Sequence, residues 1–149
     1  MDEPAGPVVR ECIEAYLYSR PPLELLLFRR PPARGRIWVP ISGKVDPSDP
    51  DLEAAVRREL REETGLARAG PLRPLDWHVR FRADNGEVWR LHAYAVKVDR
   101  GFVPTLSPEH EAFEWVDTPE ALRRLHYEDN RGAVERLRER LDPSRSPNV

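Results

Sequence analysis

Residues 56–66 read V-R-R-E-L-R-E-E-T-G-L, and this stretch organises the rest of the chain. In a helix, each residue turns by about 100° relative to the one before it. Leu52 and Val56 then begin an apolar stripe that is expected to face the core. The same stripe continues into Glu59 and Glu63, which lie one helical turn apart. The pattern therefore predicts a helix whose buried face ends in carboxylates.

Such carboxylates need compensation, because burying an unpaired charge is costly. Glu62 adds a third carboxylate beside them and Arg58 adds one cation, while Arg57 and Arg61 are expected to point to solvent. Divalent cations take carboxylate oxygens as ligands and would supply the missing charge. The alternative is a solvated acidic helix held by ion pairs such as Arg58–Glu62. The helix alone leaves both alternatives open.

The residues on either side carry start and stop signals for this helix. Asp49 is expected to cap its N-terminus, with Pro50 at the first helical position. Gly65 follows the last turn, where a left-handed C-terminal cap is expected. The sequence thus predicts a helix over residues 50–64, preceded by the loop S-G-K-V at residues 42–45.

This strand, glycine loop and acidic helix together resemble the Nudix box, whose pattern is G-x5-E-x7-R-E-U-x-E-E-x-G-U, with U a bulky aliphatic residue. The residues that match its second half without a gap are Arg58, Glu59, Leu60, Glu62, Glu63, Gly65 and Leu66. Gly43 matches the opening glycine one residue early, so the loop is expected to be one residue longer than the pattern. Counting back from Arg58, the isolated glutamate of the pattern falls on Pro50, and Asp49 is the nearest acid. The departure concerns how Arg58 is held more than it concerns metal binding.

The resemblance implies a catalytic metal site on this helix. Glu59 and Glu63 are the implied main ligands, and Glu62 is implied to bind metal or orient water. The backbone carbonyl of Ser42, which precedes the box glycine, is implied to join them, and Arg58 is implied to orient the glutamates. The implied cofactor is Mg²⁺, with Mn²⁺ as an alternative.

A later segment, S-P-E-H-E-A-F-E-W-V-D at residues 107–117, resembles the dihydroneopterin triphosphate pyrophosphatase and dATP pyrophosphohydrolase branch of the same family. This resemblance implies that Glu109 is a further metal ligand or a general base. His110 is expected to be structural, and Glu111 and Glu114 are expected to face solvent.

Three further residues are candidates for substrate binding. Trp38 precedes the glycine loop and could line the site or stack on a base, with a position in the core as an equal alternative. Arg29 and Lys44 could contact phosphates, and for each one alone the alternative is a solvated surface position.

Length and composition limit the class of protein. The chain has 149 residues with 40% apolar and 34% charged side chains and a net charge of −2, which gives no general attraction to nucleic acid or anionic membranes. No apolar run approaches the ~20 residues that span a bilayer, and the N-terminus has no apolar signal segment. The single cysteine, Cys12, cannot form an internal disulfide, so a reducing cytoplasm is expected and Cys12 is expected to be a buried strand residue. We predict one domain over residues 1–149, with flexible tails at about 1–8 and 142–149.

Alternating and apolar runs separated by turn residues predict a strand-rich chain. Asn85-Gly86 between two such runs predicts a hairpin. The strands are predicted at Val9–Ser19, Leu23–Phe28, Ile37–Ile41, Leu72–Ala83, Glu87–Val98 and Ala112–Val116. Helices are predicted from Asp117 or Thr118 onward and over Asn130–Leu141. This order predicts an α/β protein with a mixed sheet packed between helices, and the Nudix resemblance implies the same α/β/α sandwich.

Basic and aromatic residues alternate along both strands of the predicted hairpin. They are His78, Arg80 and Arg82 on the first strand and Arg90, His92 and Tyr94 on the second. If the two sets share a face, that face is either a solvated or dimer surface or a wall of the substrate site, and the sequence favours neither.

The expected function is metal-dependent hydrolysis of a phosphoanhydride bond in a nucleoside di- or triphosphate or a related pterin triphosphate, releasing a monophosphate and pyrophosphate or phosphate. Alternative substrates are ADP-ribose and dinucleoside polyphosphates, and a different class is a Nudix-fold nucleotide-binding module without catalysis. Nucleic-acid binding through the hairpin is disfavoured by the net negative charge. The expected partner is a small-molecule nucleotide or pterin polyphosphate, and a homodimer is left open.

Overall fold

The computed structural model describes residues 3–141, and within that range the chain forms seven β-strands and three α-helices. The strands are β1 (Val8–Ser19), β2 (Glu24–Arg29), β3 (Trp38–Val39), β4 (Ile41–Lys44), β5 (Leu72–Arg82), β6 (Val88–Lys97) and β7 (Ala112–Asp117). The helices are α1 (Leu52–Thr64), α2 (Thr118–Arg124) and α3 (Glu128–Leu141). Within the described range, none of these helices is both long enough and apolar enough to cross a membrane. The tail predicted at 142–149 lies outside the described residues.

The strands join one mixed sheet with β1 near its centre. Its order is β3-β2-β1-β6-β5, with β4 paired to β1 and β7 paired to β2. β1 and β6 run parallel, and the remaining pairs are antiparallel. A strand in this position has neighbours on both sides and layers on both faces, which explains its long buried run.

Side chains that alternate along β1 fill two separate cores. Ile13 and Leu17 pack with Val56 and Leu60 of α1 on one face of the sheet. Tyr16 and its neighbours on the other face pack against α2 and α3. Helices thus cover both faces, which confirms the predicted α/β fold with its sheet between helical layers.

The start of α1 differs from the prediction. The helix begins at Leu52, and Asp51 caps it by accepting a hydrogen bond from the backbone N–H of Ala54 at 2.8 Å. The predicted cap at Asp49, with Pro50 as the first helical residue, is wrong, because the Asp49 carboxylate binds Arg58 instead. The predicted left-handed cap at Gly65 is confirmed by its φ of 76°.

Two strand predictions have different outcomes. The strand predicted over Ile37–Ile41 is split into β3 and β4 at Pro40, which has no backbone N–H to donate to a neighbouring strand. The hairpin is confirmed, since β5 and β6 pair antiparallel across the turn and Gly86 adopts a φ of 90°.

The basic residues of the hairpin mostly lie on the face of the sheet that carries α1. His78 pairs across the strands with His92, and Arg80 pairs with Arg90, so all four share one face. They lie opposite the cavity described below, so the interpretation of these four as a substrate wall is wrong. Arg82, at the end of β5, does line that cavity.

Candidate active site

A cavity of about 890 Å³ opens at one end of the sheet. Six of the strands and helices contribute to its wall: Glu14 comes from β1, Ser42 from β4, Glu59 from α1, Arg82 from β5, Trp89 from β6 and Asn130 from α3. Residues far apart in the chain therefore meet there.

The acidic face of α1 reaches this cavity as its periodicity predicts. Glu59 and Glu63 both line it, and Glu63 is only 4% exposed. The Oε2 atom of Glu63 is buried and accepts no hydrogen bond from any residue in the range 3–141. Burial raises the pKa of Glu59 above its usual value, outweighing the opposite effect of the Arg58 guanidinium. Glu63 therefore keeps a buried carboxylate oxygen without a partner among the described residues, whereas Glu59 is desolvated but paired with Arg58.

Gly43 is required by the close approach of the Glu59 side chain. A Cβ atom at this position would overlap the Glu59 carboxylate. The glycine thus lets the carboxylate lie directly against the backbone of β4, beside the cavity-lining Ser42. A glycine is needed here because there is no room for a side chain. Its conformational freedom is not the reason, since Gly43 is not among the glycines with positive φ.

Arg58 is held by a network that ties the loop after β4 to α1. Its guanidinium donates to both carboxylate oxygens of Asp49 at 2.9–3.3 Å, to the backbone carbonyl of Lys44 at 2.9 Å and to Glu59 at 2.8 Å. These hydrogen bonds hold the pKa of Asp49 below its usual range and raise that of Arg58. Asp49 is the sixth residue after Gly43, which is the spacing of the isolated glutamate, so the extra residue lies between Asp49 and Arg58. Asp49 thus fills the partner role that the sequence left unassigned.

The other predicted site residues divide into two groups. Ser42, Lys44 and Glu109 line the cavity together with Arg58, Glu59 and Glu63. Glu62 is not among the lining residues; its side chain is 55% exposed and lies 3.4 Å from Arg58. Arg29 and Trp38 also lie outside the lining.

Arg29, Trp38 and Glu111 belong to a neighbouring structural cluster. Arg29 donates to Glu111 at 2.8 Å and lies over the Trp38 ring, whose centroid is 5.6 Å from the guanidinium carbon. The prediction that Glu111 faces solvent is therefore wrong, because it is 23% exposed and also pairs with Arg36 at 3.4 Å. The prediction that Glu114 faces solvent agrees with the 52% exposure of its side chain, although this carboxylate also pairs with Arg124.

The carboxylates of the cavity fit a divalent cation without forming a complete set of ligands. Within residues 3–141, no three His, Cys, Asp or Glu side chains stand close enough together to form a metal cluster. The unpartnered Oε2 of Glu63 is, however, what a buried carboxylate shows when the protein does not supply the positive charge that balances it. Oxygen donors of this type suit Mg²⁺.

Sequence reasoning missed a buried polar cluster in the cavity wall. Glu14 accepts hydrogen bonds from the Tyr16 hydroxyl and from Asn130 Nδ2, each at 2.7 Å. Its burial raises its pKa to about 7, against the opposing effect of these hydrogen bonds. The signal in the sequence was a lone carboxylate in the run C-I-E-A-Y-L-Y. The Oδ1 atom of Asn130 is also buried and has no partner among the described residues.

His110 is buried in the same wall, next to Glu109. Its ring lies 5.3 Å from that of Phe28, between centroids, and burial lowers its pKa to about 4. It is therefore neutral near pH 7. Its Nδ1 atom has no hydrogen-bond partner within the described range.

Basic side chains surround the carboxylates. Arg10, Lys44 and Arg82 lie towards the hairpin, and Arg30 and Arg34 contribute to the opposite wall. Within residues 3–141, none of the five has a carboxylate oxygen within 4.0 Å. A cavity with free cations around buried carboxylates can hold an anionic ligand together with the metal that neutralises both.

Comparison with known proteins places this site in a family. A family model of the NUDIX domain matches residues 15–137. An octanoyltransferase from Myxococcus xanthus is 37% identical over 136 residues, which cover 89% of this chain; the chain spans only 37% of that protein's length. The asymmetrical bis(5'-nucleosyl)-tetraphosphatase of Mus musculus is 30% identical over 106 residues, covering 66% of this chain and 67% of that protein.

A solved structure supports the fold independently. The C. elegans Ap4A hydrolase binary complex superimposes with a TM-score of 0.75 and 23% identity, covering 91% of this chain and 99% of that one. The likeness extends over nearly all the described elements.

Proposed function

Because the chain belongs to the NUDIX family, we propose that it is a metal-dependent hydrolase of a phosphoanhydride bond in a nucleoside polyphosphate or a related pterin triphosphate. The observation that carries this proposal is the buried Oε2 atom of Glu63, which has no partner among the described residues. It lies in a cavity whose lining also includes the Glu59 carboxylate and, within residues 3–141, five cations that have no carboxylate oxygen within 4.0 Å. A structural acidic helix would have satisfied these groups internally.

The proposed metal ligands are Glu59, Glu63, Glu109 and the backbone carbonyl of Ser42. Mg²⁺ is the proposed cofactor, and Mn²⁺ is a substitute with the same preference for oxygen ligands. A divalent cation bound there would neutralise phosphate charge, polarise phosphorus and lower the pKa of a bound water.

The protein's own groups have separate tasks in this proposal. Arg58, held by Asp49, fixes the Glu59 carboxylate through a 2.8 Å hydrogen bond. Lys44 and the neighbouring arginines bind phosphate oxygens. No side-chain nucleophile is needed, because water attacks phosphorus directly; Cys12 in the wall stays a protonated thiol, since burial raises its pKa to about 11.

Dinucleoside polyphosphates are a second candidate substrate class. The 30% identity with a bis(5'-nucleosyl)-tetraphosphatase favours them. Arg10 and Lys44 also line a second hollow beside the cavity, so cations are present beyond the carboxylate site.

The test is a panel of nucleoside triphosphates, diadenosine tetraphosphate, ADP-ribose and dihydroneopterin triphosphate, incubated with the protein and Mg²⁺ or Mn²⁺. Released products are identified by chromatography. We expect turnover that EDTA abolishes and that Glu63→Gln reduces strongly. Binding of nucleotides without turnover of any of them would instead favour the binding-module alternative.

A further inference from the structure

Gly132 lies inside α3, although glycine is among the poorest residues at forming a helix. Its backbone does not need the left-handed region, since Gly132 is not among the glycines with positive φ. The reason is found in the neighbouring sheet, because a Cβ atom at this position would overlap the indole ring of Trp77. The glycine therefore lets this side chain of β5 lie directly against the backbone of α3.

The indole reaches α3 at a point where β5 is bulged. Three residues of β5, Leu75–Trp77, oppose the single residue Ala93 of β6. The middle one, Asp76, adopts a φ of 53°, which is uncommon for a residue other than glycine. Bulges of this kind redirect side chains. Here Leu75 is fully buried in the core beneath α3, and Trp77 packs against the same core.

Two arginines of α3 bind this bulge. Arg136 donates to the backbone carbonyls of Leu75 at 3.0 Å and of Asp76 at 2.8 Å. Its guanidinium carbon also lies 5.7 Å from the centroid of the Trp77 ring. Arg140 donates to the Asp76 carboxylate at 2.8 Å. These contacts hold the bulge and the helix in one fixed arrangement.

The first turn of α3 connects this contact to the cavity. The Nε1 atom of Trp77 donates to the backbone carbonyl of Asp129 at 3.1 Å. From the other side, Asn130 donates through Nδ2 to the Glu14 carboxylate at 2.7 Å. Asp129 and Asn130 both line the cavity. The place of this wall is therefore set by Trp77 from β5 and by Glu14 from β1.

We propose that Trp77 and Gly132 are positioning residues for substrate binding. Their direct contact fixes how closely the first turn of α3 approaches the sheet, and thereby where the α3 wall of the cavity lies. Neither residue is among those that line the cavity, so both act through Asp129 and Asn130. The inference rests on the proposed function of this cavity and adds two residues that determine how well the substrate fits.

Gly132→Ala tests the contact, because the added methyl group must displace the indole or the helix. With the best substrate of the panel above, we expect KM to rise about fivefold, the size of one misaligned polar contact, and kcat to stay within about twofold of the wild type. The affinity for Mn²⁺ should also stay within about twofold, since α3 supplies none of the proposed metal ligands. Gly70→Ala is the matched control, because a Cβ atom at that position would meet nothing within 4 Å.

A compensating change separates positioning from packing alone. Trp77→Phe replaces the indole with a smaller ring and makes room for the added methyl group. On its own it loses the hydrogen bond to Asp129 and should raise KM about threefold. In the double variant Trp77→Phe/Gly132→Ala, we expect KM to be within about twofold of that of Trp77→Phe alone, because the clash is gone.

An unchanged KM in folded Gly132→Ala would overturn the inference. So would single-variant losses that simply multiply in the double variant, since the two positions would then act independently. Equal falls in kcat and in Mn²⁺ affinity would also overturn it, because they would indicate a general loss of structure. Thermal melting identifies a variant that does not fold. If Gly132→Ala is one, Trp77→Phe carries the test, and an unchanged KM in that variant overturns the inference.

A binding measurement separates this inference from the proposed function. If the wild type hydrolyses nothing in the panel, the hydrolase is rejected, and the same proteins are compared by their dissociation constants for the fluorescent analogue mant-ATP in Mg²⁺. Weaker binding by Gly132→Ala that the double variant recovers would then support the positioning role without catalysis. Turnover with the same KM in every variant would support the hydrolase and reject the positioning role. Absence of both turnover and mant-ATP binding would reject both.

Discussion

Two charged regions of the molecule are built in opposite ways. On the α1 side of the hairpin, Glu11 binds Arg90 at 2.8 Å and His92 at 2.6 Å, and His92 in turn contacts His78 at 2.7 Å. In the cavity, Glu63 has a buried oxygen with no partner among the described residues, and Lys44 has no carboxylate within 4.0 Å in the same range.

This difference in how the charged groups are paired indicates which region binds a ligand. Polar groups that satisfy one another can remain as they are, because their charge is already balanced. Buried groups without partners are costly, and a fold retains them where a bound ion or substrate supplies the partner. We therefore assign function to the cavity and a structural role to the Glu11 cluster.

The largest expected effect comes from Glu63→Gln. We expect kcat to fall by about 10³-fold, because a lost metal ligand removes several kcal/mol of transition-state stabilisation. Steady-state kinetics in Mg²⁺ measure this, with Glu53→Gln, an exposed carboxylate on the first turn of the same helix, as the matched control. Turnover above a tenth of the wild-type rate in Glu63→Gln would remove this residue from the site.

Glu14→Gln should change how stability depends on pH. The folded-state pKa of Glu14 is about 7, against an ordinary value of 4.5. In the wild type, the folded state holds the proton more tightly, so stability is full below pH 4.5 and is lost as pH rises towards 7. The loss is about 3 kcal/mol at most.

Urea unfolding at several pH values from 4 to 8 measures this dependence. The Gln variant has no proton to lose, so its stability should fall less than that of the wild type across the window. Parallel curves for the two proteins would mean that Glu14 titrates normally, and the buried cluster would then be wrongly described.

Asp49→Asn tests the network that holds Arg58. The variant keeps the shape of the side chain but weakens the charge-assisted hydrogen bonds, so we expect kcat to fall by roughly 10- to 100-fold, as for other residues that orient metal ligands. A positioning role predicts a change mainly in kcat, with KM little altered. Asp49→Glu should recover part of the activity, whereas equal losses in both variants would point to a general loss of folding.

Glu11→Gln should have the smallest effect. The carboxylate is 34% exposed, and exposed ion pairs contribute about 0.2–1 kcal/mol to stability. We expect a shift of that size in the free energy of unfolding and a kcat within about twofold of the wild type. A loss of activity of tenfold or more would contradict the contrast between the two regions.

The helix and its acidic face could be predicted from sequence because they depend on local spacing. Glu59 and Glu63 follow Val56 on one stripe. In the structure Val56 and Glu63 are buried and Glu59 is half-buried. The helix cap at Gly65 and the hairpin turn at Asn85-Gly86 could also be predicted, since each signal lies within a few residues of the feature it predicts.

What could not be predicted depends on contacts between distant residues. Asn130 meets Glu14 across 116 positions, and Arg29 meets Glu111 across 82. The role of Asp49 could not be predicted because one extra residue lies between it and Arg58. The spacing of the pattern therefore points to Pro50, whereas in the structure the Arg58 guanidinium binds the Asp49 carboxylate. The sequence also could not predict which face of the sheet carries His78 and His92. That face depends on how the strands pair, and the alternation of residues along each strand does not determine the pairing.

The most direct test of the central claim is the affinity of Mn²⁺ for the nucleotide-free protein, measured by isothermal titration calorimetry on the wild type and Glu63→Gln. We predict saturable binding by the wild type and at least tenfold weaker binding by the variant, since Glu63 supplies an otherwise unpartnered oxygen. Equal affinities, or no binding by either protein, would contradict the claim that these carboxylates hold a metal ion.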